Sequence, residues 1–408
     1  MHFDKDFFDW IECHRNDDPF RLRLKFLSGK EYPWWLPIAI AHISVLKKAN
    51  NKLRKAHDNL MPEILYPEIA IEQCSSYDTA RLHGAIINRI LENCPGKILD
   101  MTCGLGIDAM NMAREGHCVV ALEINDVQAE IAKYNYRNLD NFQVLAMDCR
   151  RFLEEIDEDF DLVFCDPARR NDAGKRVFNI SECEPNIIDL LPRLERFSKS
   201  LLVKLSPMLD IQQVIRELPK ISGIYITESQ QECKELLVLV DFSLSQQINQ
   251  EAIPIEVHNR EFDQPFCFTI GEERTSMEER MFTNPGISDF LCVPSPGIMK
   301  GGCYNLLCSR FDLKMTGRNN HLYISNRIPT GFPGKIYRVI DMLEWKSNKI
   351  KNLSDSWHKA SVSARDFPLT STDVKGKLKL KDDDKHHIFA TTVQNGQKML
   401  YLTEREFI

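Results

Sequence analysis

An α/β fold built on a doubly wound, mostly parallel sheet follows from three features of the sequence. Apolar runs with strand character alternate with helical stretches from Lys97 to about residue 240. A glycine-rich loop, Gly104-Leu-Gly-Ile-Asp108, joins the first of those strands to the first helix. Four successive strands end in an acid: Asp100, Glu123, Asp148 and Asp166. Turns favour Asp in any case, so one such acid has little weight. Four in register mark the carboxyl edge of a sheet, where ligands of open α/β folds bind.

Residues 1–71 are expected to form a helical N-terminal region, punctuated by Pro33, Pro37, Pro62 and Pro67. Phe7, Phe8 and Ile11 have helical spacing, as do Ile40, Ile43 and Leu46. A stretch over 38–60 reads as an amphipathic helix with Lys47, Lys48, Lys52, Arg54 and Lys55 on one face. A solvated face explains those lysines better than an RNA contact. The next helix spans about 72–93, and Ser75, Ser76 or Asp78 can cap it.

The alternation then runs strand 98–100, helix, strand 118–123, helix 126–138, strand 142–148, helix 150–156 and strand 160–166. Helix 184–198, strand 201–205, helix 210–217, strand 223–227 and strand 235–240 follow. The last two strands have only a short link, so an antiparallel hairpin is expected there. Segments 252–257 and 266–270 look like edge strands. The Pro/Gly stretch from Val293 to Gly302 reads as a boundary. Beyond it come a short helix, a strand at 321–325, a β-rich stretch from Phe332 and a helix at 367–378. A hairpin with Asn395-Gly396 nearby closes the chain. The domain limits expected are 1–71, 72–245, 246–330 and 331–408.

Composition narrows the class. The chain has 408 residues, enough for two or three domains, and its hydrophobic share of 43% is that of a globular protein. It has no run of eighteen apolar residues, so no membrane span is expected, and its acidic start is unlike a signal peptide. Its 13 cysteines form no C-x-x-C pair. Cys103, Cys118, Cys149 and Cys165 lie in apolar runs and read as buried free thiols of a cytoplasmic protein. Cys303 and Cys308 lack a second pair, so no metal site is expected. The formal charge is −7, yet the last 78 residues carry 14 Lys/Arg against ten Asp/Glu. That asymmetry favours an anionic partner at the C-terminal end.

The ligand of the glycine loop can be argued from charge. Gly104-Leu-Gly106-Ile-Asp-Ala109 fits a dinucleotide pattern, and a plain strand–turn–helix is the bland alternative. A pyrophosphate at a helix N-terminus wants no carboxylate beside it. Asp100 and Asp108 flank this loop. They suit a ligand with a positive end, such as S-adenosylmethionine (SAM), which carries an ammonium and a sulfonium but no phosphate. Glu123 can accept bonds from two ribose hydroxyls, and Asp148 with Cys149 can read an adenine amino group.

The pattern D-x-x-x-G-x-G-x-D resembles motif I of class I SAM-dependent methyltransferases. That resemblance implies a Rossmann-like seven-stranded sheet ending in an antiparallel pair. It also implies a helix that closes over the methionine end of SAM, near Gln73, Ser76 or Thr79; helix capping explains those residues equally. Asp166-Pro-Ala-Arg-Arg170 occupies motif IV. It is similar to Asn/Asp-Pro-Pro-Tyr of amine methylases, but Ala168 and Arg169 replace Pro and Tyr. It is closer to the Asp-Pro-Pro-Arg of uridine-C5 enzymes. Those need a nucleophilic cysteine after the fifth strand, where this chain has Lys204-Leu-Ser-Pro-Met. Covalent catalysis is therefore disfavoured, and Lys204 is a candidate substrate contact.

As a whole the chain resembles a bacterial family of SAM-dependent methyltransferases, known from Bacteroidetes, with a ferredoxin-like segment and a C-terminal THUMP-like domain. Asp100 to Asp108, Asp166-Pro-Ala-Arg-Arg170, Phe332-Pro-Gly, Arg365-Asp-Phe-Pro-Leu, Lys377-Leu-Lys-Leu and Phe389-Ala-Thr-Thr carry the resemblance. THUMP domains bind RNA, usually tRNA. The resemblance thus implies direct methyl transfer to a base of tRNA or rRNA. A small-molecule or protein methyltransferase, and an RNA-binding protein with a vestigial SAM fold, are the alternatives. The cofactor set expected is Asp100, Thr102, Gly104, Gly106, Asp108, Glu123, Ile124, Asp148, Cys149 and Asp166. The catalytic set is Asp166, Pro167 and Arg169.

Overall fold

The computed structural model describes residues 5–28, 31–45, 74–168, 179–279, 281–350, 357 and 359–406. The chain divides into two compact units, Met1–Ser229 with Lys234–Ile248, and Gln230–Cys233 with Asn249–Ile408.

Seven strands of the first unit are β1 (Lys97–Asp100), β2 (Cys118–Glu123), β3 (Phe142–Ala146), β4 (Leu162–Cys165), β5 (Ser200–Leu205), β6 (Ile221–Ser229) and β7 (Glu232–Asp241). They lie in the order β3-β2-β1-β4-β5-β7-β6. The first five are parallel, and β7 enters antiparallel to β5. This is the doubly wound sheet expected, with its late strands placed as the resemblance implied. The chain builds β1, β2 and β3 to one side, then returns to lay β4 on the other side of β1. Strand order reverses there, and such a point opens a crevice at the carboxyl ends. Asp100 ends β1, and Asp166 directly follows β4.

Both sheet faces are covered. Ile98, Val119, Ala121, Leu162, Phe164 and Leu202 share a buried cluster with Ile86, Ile87, Ala109 and Met112 from flanking helices. Helix Tyr77–Ile90 is capped by Ser76, whose Oγ accepts from Thr79 N at 3.1 Å. The N-terminal helices Lys5–His14 and Pro19–Phe26, with a helical stretch at 36–45, form a separate apolar cluster around Phe7, Ile40 and Ile131. The basic positions expected on helix 38–60, from Lys47 onward, and Gln73 lie outside the described residues.

The second unit begins with the antiparallel pair β8 (Pro254–Asn259) and β9 (Phe266–Thr269). Its main sheet joins β10 (Phe290–Pro294), β11 (Lys314–Met315), β12 (Tyr323–Ser325), β13 (Gly334–Glu344), β14 (Ser361–Arg365), β15 (His386–Thr392) and β16 (Lys398–Glu406). Their order is β11-β12-β10-β13-β16-β15-β14. The border expected at 330/331 falls inside this sheet, because β10 pairs β13 from Phe290↔Arg338 to Pro294↔Gly334. Helix Ser371–Leu378 carries the crossover between the parallel strands β14 and β15.

Two expectations are corrected. The Pro/Gly stretch from Val293 to Gly302 is no boundary. It ends β10 and forms helix Pro296–Gly301, with Ser295 as N-cap, proline in the first turn and Gly302 left-handed as C-cap. Proline and glycine act there as helix start and stop signals. Cys118 is exposed, because it precedes the buried part of β2. Cys103, Cys149 and Cys165 are buried, and all 13 cysteines are free.

Candidate active site

The glycine loop sits at the β1 end of the crevice. Gly104 has φ +54°, and a Cβ there would meet nothing within 4 Å. Gly106 has φ +73°, and a Cβ there would come 2.7 Å from the Tyr136 ring. Glycine is therefore required at 106 by backbone and by space. Tyr136, which the sequence did not mark, donates its hydroxyl hydrogen to Leu105 O at 3.0 Å and braces the loop. Gly106 gives helix Ile107–Arg114 no side-chain cap.

Glu123 closes the loop from the next strand. Its Oε2 accepts from Gly104 N at 2.8 Å and its Oε1 from Asn125 N at 2.9 Å. A carboxylate has about four lone-pair sites, so acceptor capacity remains for hydroxyls. Burial raises the pKa of Glu123, against the two amides that lower it. Ile124 beside it is 67% exposed, an apolar surface at the crevice edge. Asp148 is placed differently from an open acceptor. It caps helix Cys149–Glu155 and pairs with Arg150 at 2.7 Å, and that hydrogen-bonded guanidinium holds its carboxyl below the usual range. Cys149 is buried, which pushes its thiol up to about 11.

Asp100 lies on the floor. Its Oδ1 accepts from Thr102 N at 2.9 Å, and Thr102 Oγ1 accepts from Asp166 N at 2.7 Å. Thr102 thus stitches the glycine loop to the loop after β4. Asp100 is 1% exposed. Burial pushes its carboxyl up to about 8, against the Thr102 amide, and Asp108, Asp166 and Glu123 add to the rise. A ligand cation at this floor would relieve that repulsion.

The remaining carboxylates are tied to two buried cations. His83 is fully buried, with Nδ1 2.8 Å from Asp108 Oδ1 and Nε2 2.7 Å from Glu235 Oε1. Both partners are carboxylates, so both ring nitrogens must carry hydrogen. Burial alone would lower its pKa, but Glu235 and Asp108 raise it to about 9. Lys204 Nζ donates to Asp166 Oδ2 at 2.7 Å and to Ser75 Oγ at 2.9 Å, and lies 3.2 Å from Glu235 Oε2. Burial would lower it too, and Asp166, Glu235 and Asp108 raise it instead. Ser75 in turn donates to Asp108 Oδ2 at 2.7 Å. Asp108 and Glu235 are both lowered despite burial, each by His83 and Lys204.

The structure therefore brings together Asp100, Thr102, Gly104, Gly106, Asp108, Glu123 and Asp166. His83, Ser75 and Glu235 join them. Sequence reasoning held Ser75 only as a cap and did not mark His83 or Glu235. Pro167 is buried behind Asp166, while Arg169 lies outside the described residues. Cys165 is fully buried, and burial pushes its thiol well above its ordinary value, as it does for Cys103. Neither is a poised nucleophile. Among the described residues no group of three or more His, Cys, Asp or Glu is arranged to hold a metal, and no helix is long and apolar enough to cross a membrane.

The crevice fits SAM: an open glycine cradle, an uncapped helix start, a buried carboxyl lacking a cation and a carboxylate able to take hydroxyls. Comparisons agree. Residues 98–178 match a family described as a methyltransferase domain, 290–333 a ferredoxin-like domain and 334–405 a THUMP domain-like family. A crystal structure of a candidate methyltransferase from Porphyromonas gingivalis W83 is similar over 100% of both chains, at 26% identity and a TM-score of 0.86. Magnesium protoporphyrin IX methyltransferase from Synechocystis PCC 6803, solved with SAM, is similar over 59% of this chain and 100% of its own, at 11% identity and a TM-score of 0.31. A candidate RNA methyltransferase from Pyrococcus horikoshii is similar over 49% of this chain and 99% of its own, at 12% identity and a TM-score of 0.35. Scores that low carry no weight for function. No curated protein matches the chain.

Proposed function

We propose that this chain, a SAM-dependent methyltransferase with ferredoxin-like and THUMP-like domains, methylates a base of tRNA or rRNA by direct transfer. The observation that carries the RNA reading is the THUMP domain-like match over 334–405, at the net-positive end of the chain. The buried, unactivated Cys165 supports direct transfer over a covalent route.

When bound, SAM supplies a methyl group on a sulfonium, open to in-line attack. Asp100 and Asp108 hold its ammonium end, with Gly104 and Gly106 allowing close backbone approach. Glu123 takes the ribose hydroxyls, Ile124 covers the adenine, and Asp148 and Cys149 border it. Asp166 accepts a hydrogen bond from the target base. Lys204 pins one oxygen of Asp166 at 2.7 Å, and Thr102 pins its backbone amide at 2.7 Å. Pro167 removes a donor and stiffens the turn. Arg169 remains a candidate contact to the same substrate. Most of the rate comes from such positioning.

The test is transfer of labelled methyl from SAM to RNA, protein and small-molecule fractions offered separately. Label in RNA alone supports the reading. Label in protein or small molecules only replaces the substrate class. SAM binding with no transfer to any fraction favours a vestigial site.

A further inference from the structure

The charged side chains behind the crevice close into a ring, part of which the transfer step above does not use. Lys204 Nζ donates to Ser75 Oγ at 2.9 Å, and Ser75 Oγ donates to Asp108 Oδ2 at 2.7 Å. Asp108 Oδ1 accepts from His83 Nδ1 at 2.8 Å, and His83 Nε2 donates to Glu235 Oε1 at 2.7 Å. Glu235 Oε2 lies 3.2 Å from Lys204 Nζ and completes the circuit. Every member belongs to the first unit, and all but Asp108 are buried. The ring has two outlets into the crevice. One is Asp108 itself, at the cofactor end. The other is Asp166, which Lys204 holds at 2.7 Å on the target side.

Glu235 serves both cations of the ring, one oxygen to each, and Thr227 Oγ1 steadies it by donating to Oε1 at 3.3 Å. Lys204 has three hydrogens, and Asp166, Ser75 and Glu235 are their acceptors. Without Glu235 the third hydrogen falls to Asp108, 4.0 Å from Nζ, and Lys204 is drawn away from Asp166. His83 depends on Glu235 as well. The charged groups that face it are Glu235 from β7 and Asp108 from helix Ile107–Arg114; the Phe164 ring of β4 lies beside it at 6.1 Å, and Lys204 of β5 acts on both of its carboxylates. Burial opposes its charge, and Glu235 and then Asp108 outweigh burial to hold it at about 9.

We propose that Glu235 is a positioning residue of the methyl transfer, setting Asp166 through Lys204 and Asp108 through His83, so that one buried carboxylate aligns the target side and the cofactor side of the crevice. The proposal rests on the methyltransferase reading above and is indifferent to the class of substrate. Its signature is a proton. In Glu235→Gln the new amide keeps one acceptor oxygen and turns an NH2 on the other cation. Lys204 keeps its charge, since Asp166 and Asp108 still raise its pKa. His83 is then the group that gives up a proton, and its bare nitrogen accepts from the NH2.

The experiment uses the full chain. It combines NMR of the histidine rings, calorimetry for SAM, and single-turnover transfer measured against pH on whichever fraction the wild type labels. In the wild type, His83 should carry both ring hydrogens at neutral pH and lose one near 9, with turnover falling over the same range. In Glu235→Gln the titration of His83 and the falling limb should move down together by at least about one pH unit. Turnover at neutral pH should drop at least about tenfold and SAM affinity much less, the split expected of a group felt in the transition state. Glu235→Asp keeps two acceptor oxygens and should return the limb toward 9. A folded Glu235→Gln with wild-type turnover, or with slower turnover and an unmoved limb, would refute positioning and leave the methyltransferase reading standing. If Glu235→Gln did not fold, the wild type decides: a neutral His83 at pH 7, or a limb that does not track it, overturns the proposal, and coincidence of the two supports it. Label entering protein or small molecules removes RNA as the substrate and keeps the test intact. Transfer to no fraction brings down the methyltransferase reading and the proposal together.

Discussion

Asp100→Asn should make the ligand-free protein more stable and its cofactor binding worse. Asparagine keeps the size and the acceptor for Thr102 N, which now lies 2.9 Å from Oδ1. It removes only the ionisation. Burial holds the folded carboxyl at about 8 against 3.8 in the unfolded chain. A raised carboxyl pKa means the folded state keeps its proton while the unfolded state loses it. The penalty is absent below 3.8, grows with pH to about 8 and is constant above. At about 1.4 kcal/mol per pH unit, the rise from 3.8 to neutrality costs about 4 kcal/mol. The substitution should therefore raise unfolding free energy by up to about 4 kcal/mol at neutral pH and by about zero below pH 4. SAM should bind the variant at least tenfold more weakly, since its ammonium loses a charged partner. Urea unfolding at several pH values, with calorimetry for SAM, checks both halves. A variant less stable at neutral pH, or one that binds SAM like wild type, would refute the reasoning.

Four further outcomes are expected at the same site. His83 is raised from 6.5 to about 9, so its stabilising share is complete below 6.5 and lost as pH climbs through about 9; His83→Gln should remove about 3 kcal/mol of it, read as the difference between the two proteins' unfolding curves across pH 6 to 10. Glu123→Ala should weaken SAM binding by about 1–3 kcal/mol, and unchanged calorimetry would remove Glu123 from the site. Asp166→Ala should cut single turnover at least about a hundredfold with little change in SAM affinity, the sign of an interaction made in the transition state. Cys165→Ala should leave turnover nearly intact, and a dead but folded, SAM-binding variant would install a nucleophilic mechanism.

The sheet was legible because each of its early strands is a short apolar run closed by an acid. Ile98-Leu99-Asp100 and Leu162 to Asp166 differ from helical segments in both period and ending. The placement of β6 and β7 was not in the periodicity, which is silent on strand order; it came with the resemblance. Val293 to Gly302 misled because Pro and Gly mark helix ends as well as linkers, and Pro296–Gly301 is a helix of only six residues. Cys118 misled because an apolar run does not say which of its residues is already under cover.

Four carboxylates were legible, while the pairing of His83 and Lys204 with Glu235 was not, and the reason is chain distance. Asp100, Asp108, Glu123 and Asp166 each sit at a fixed place after a recognisable strand, so local pattern finds them. His83 lies mid-helix, 25 positions before Asp108 and 152 before Glu235. A lone histidine on a helix and a glutamate in a strand have no local signature of pairing. Only when β7 enters the sheet beside β5 does Glu235 come within 3.2 Å of Lys204. The antiparallel strand thus does more than close the sheet. It delivers the carboxylate that holds Lys204 and His83 charged, and these in turn keep Asp108 and Asp166 supplied with a cation. Asp100 is left out of that exchange: the charges that act on it are carboxylates, so the acid at the floor of the cofactor crevice is held by no protein cation. A folded protein tolerates such a group when a ligand completes it, which is why its removal should stabilise the empty chain and impair the loaded one.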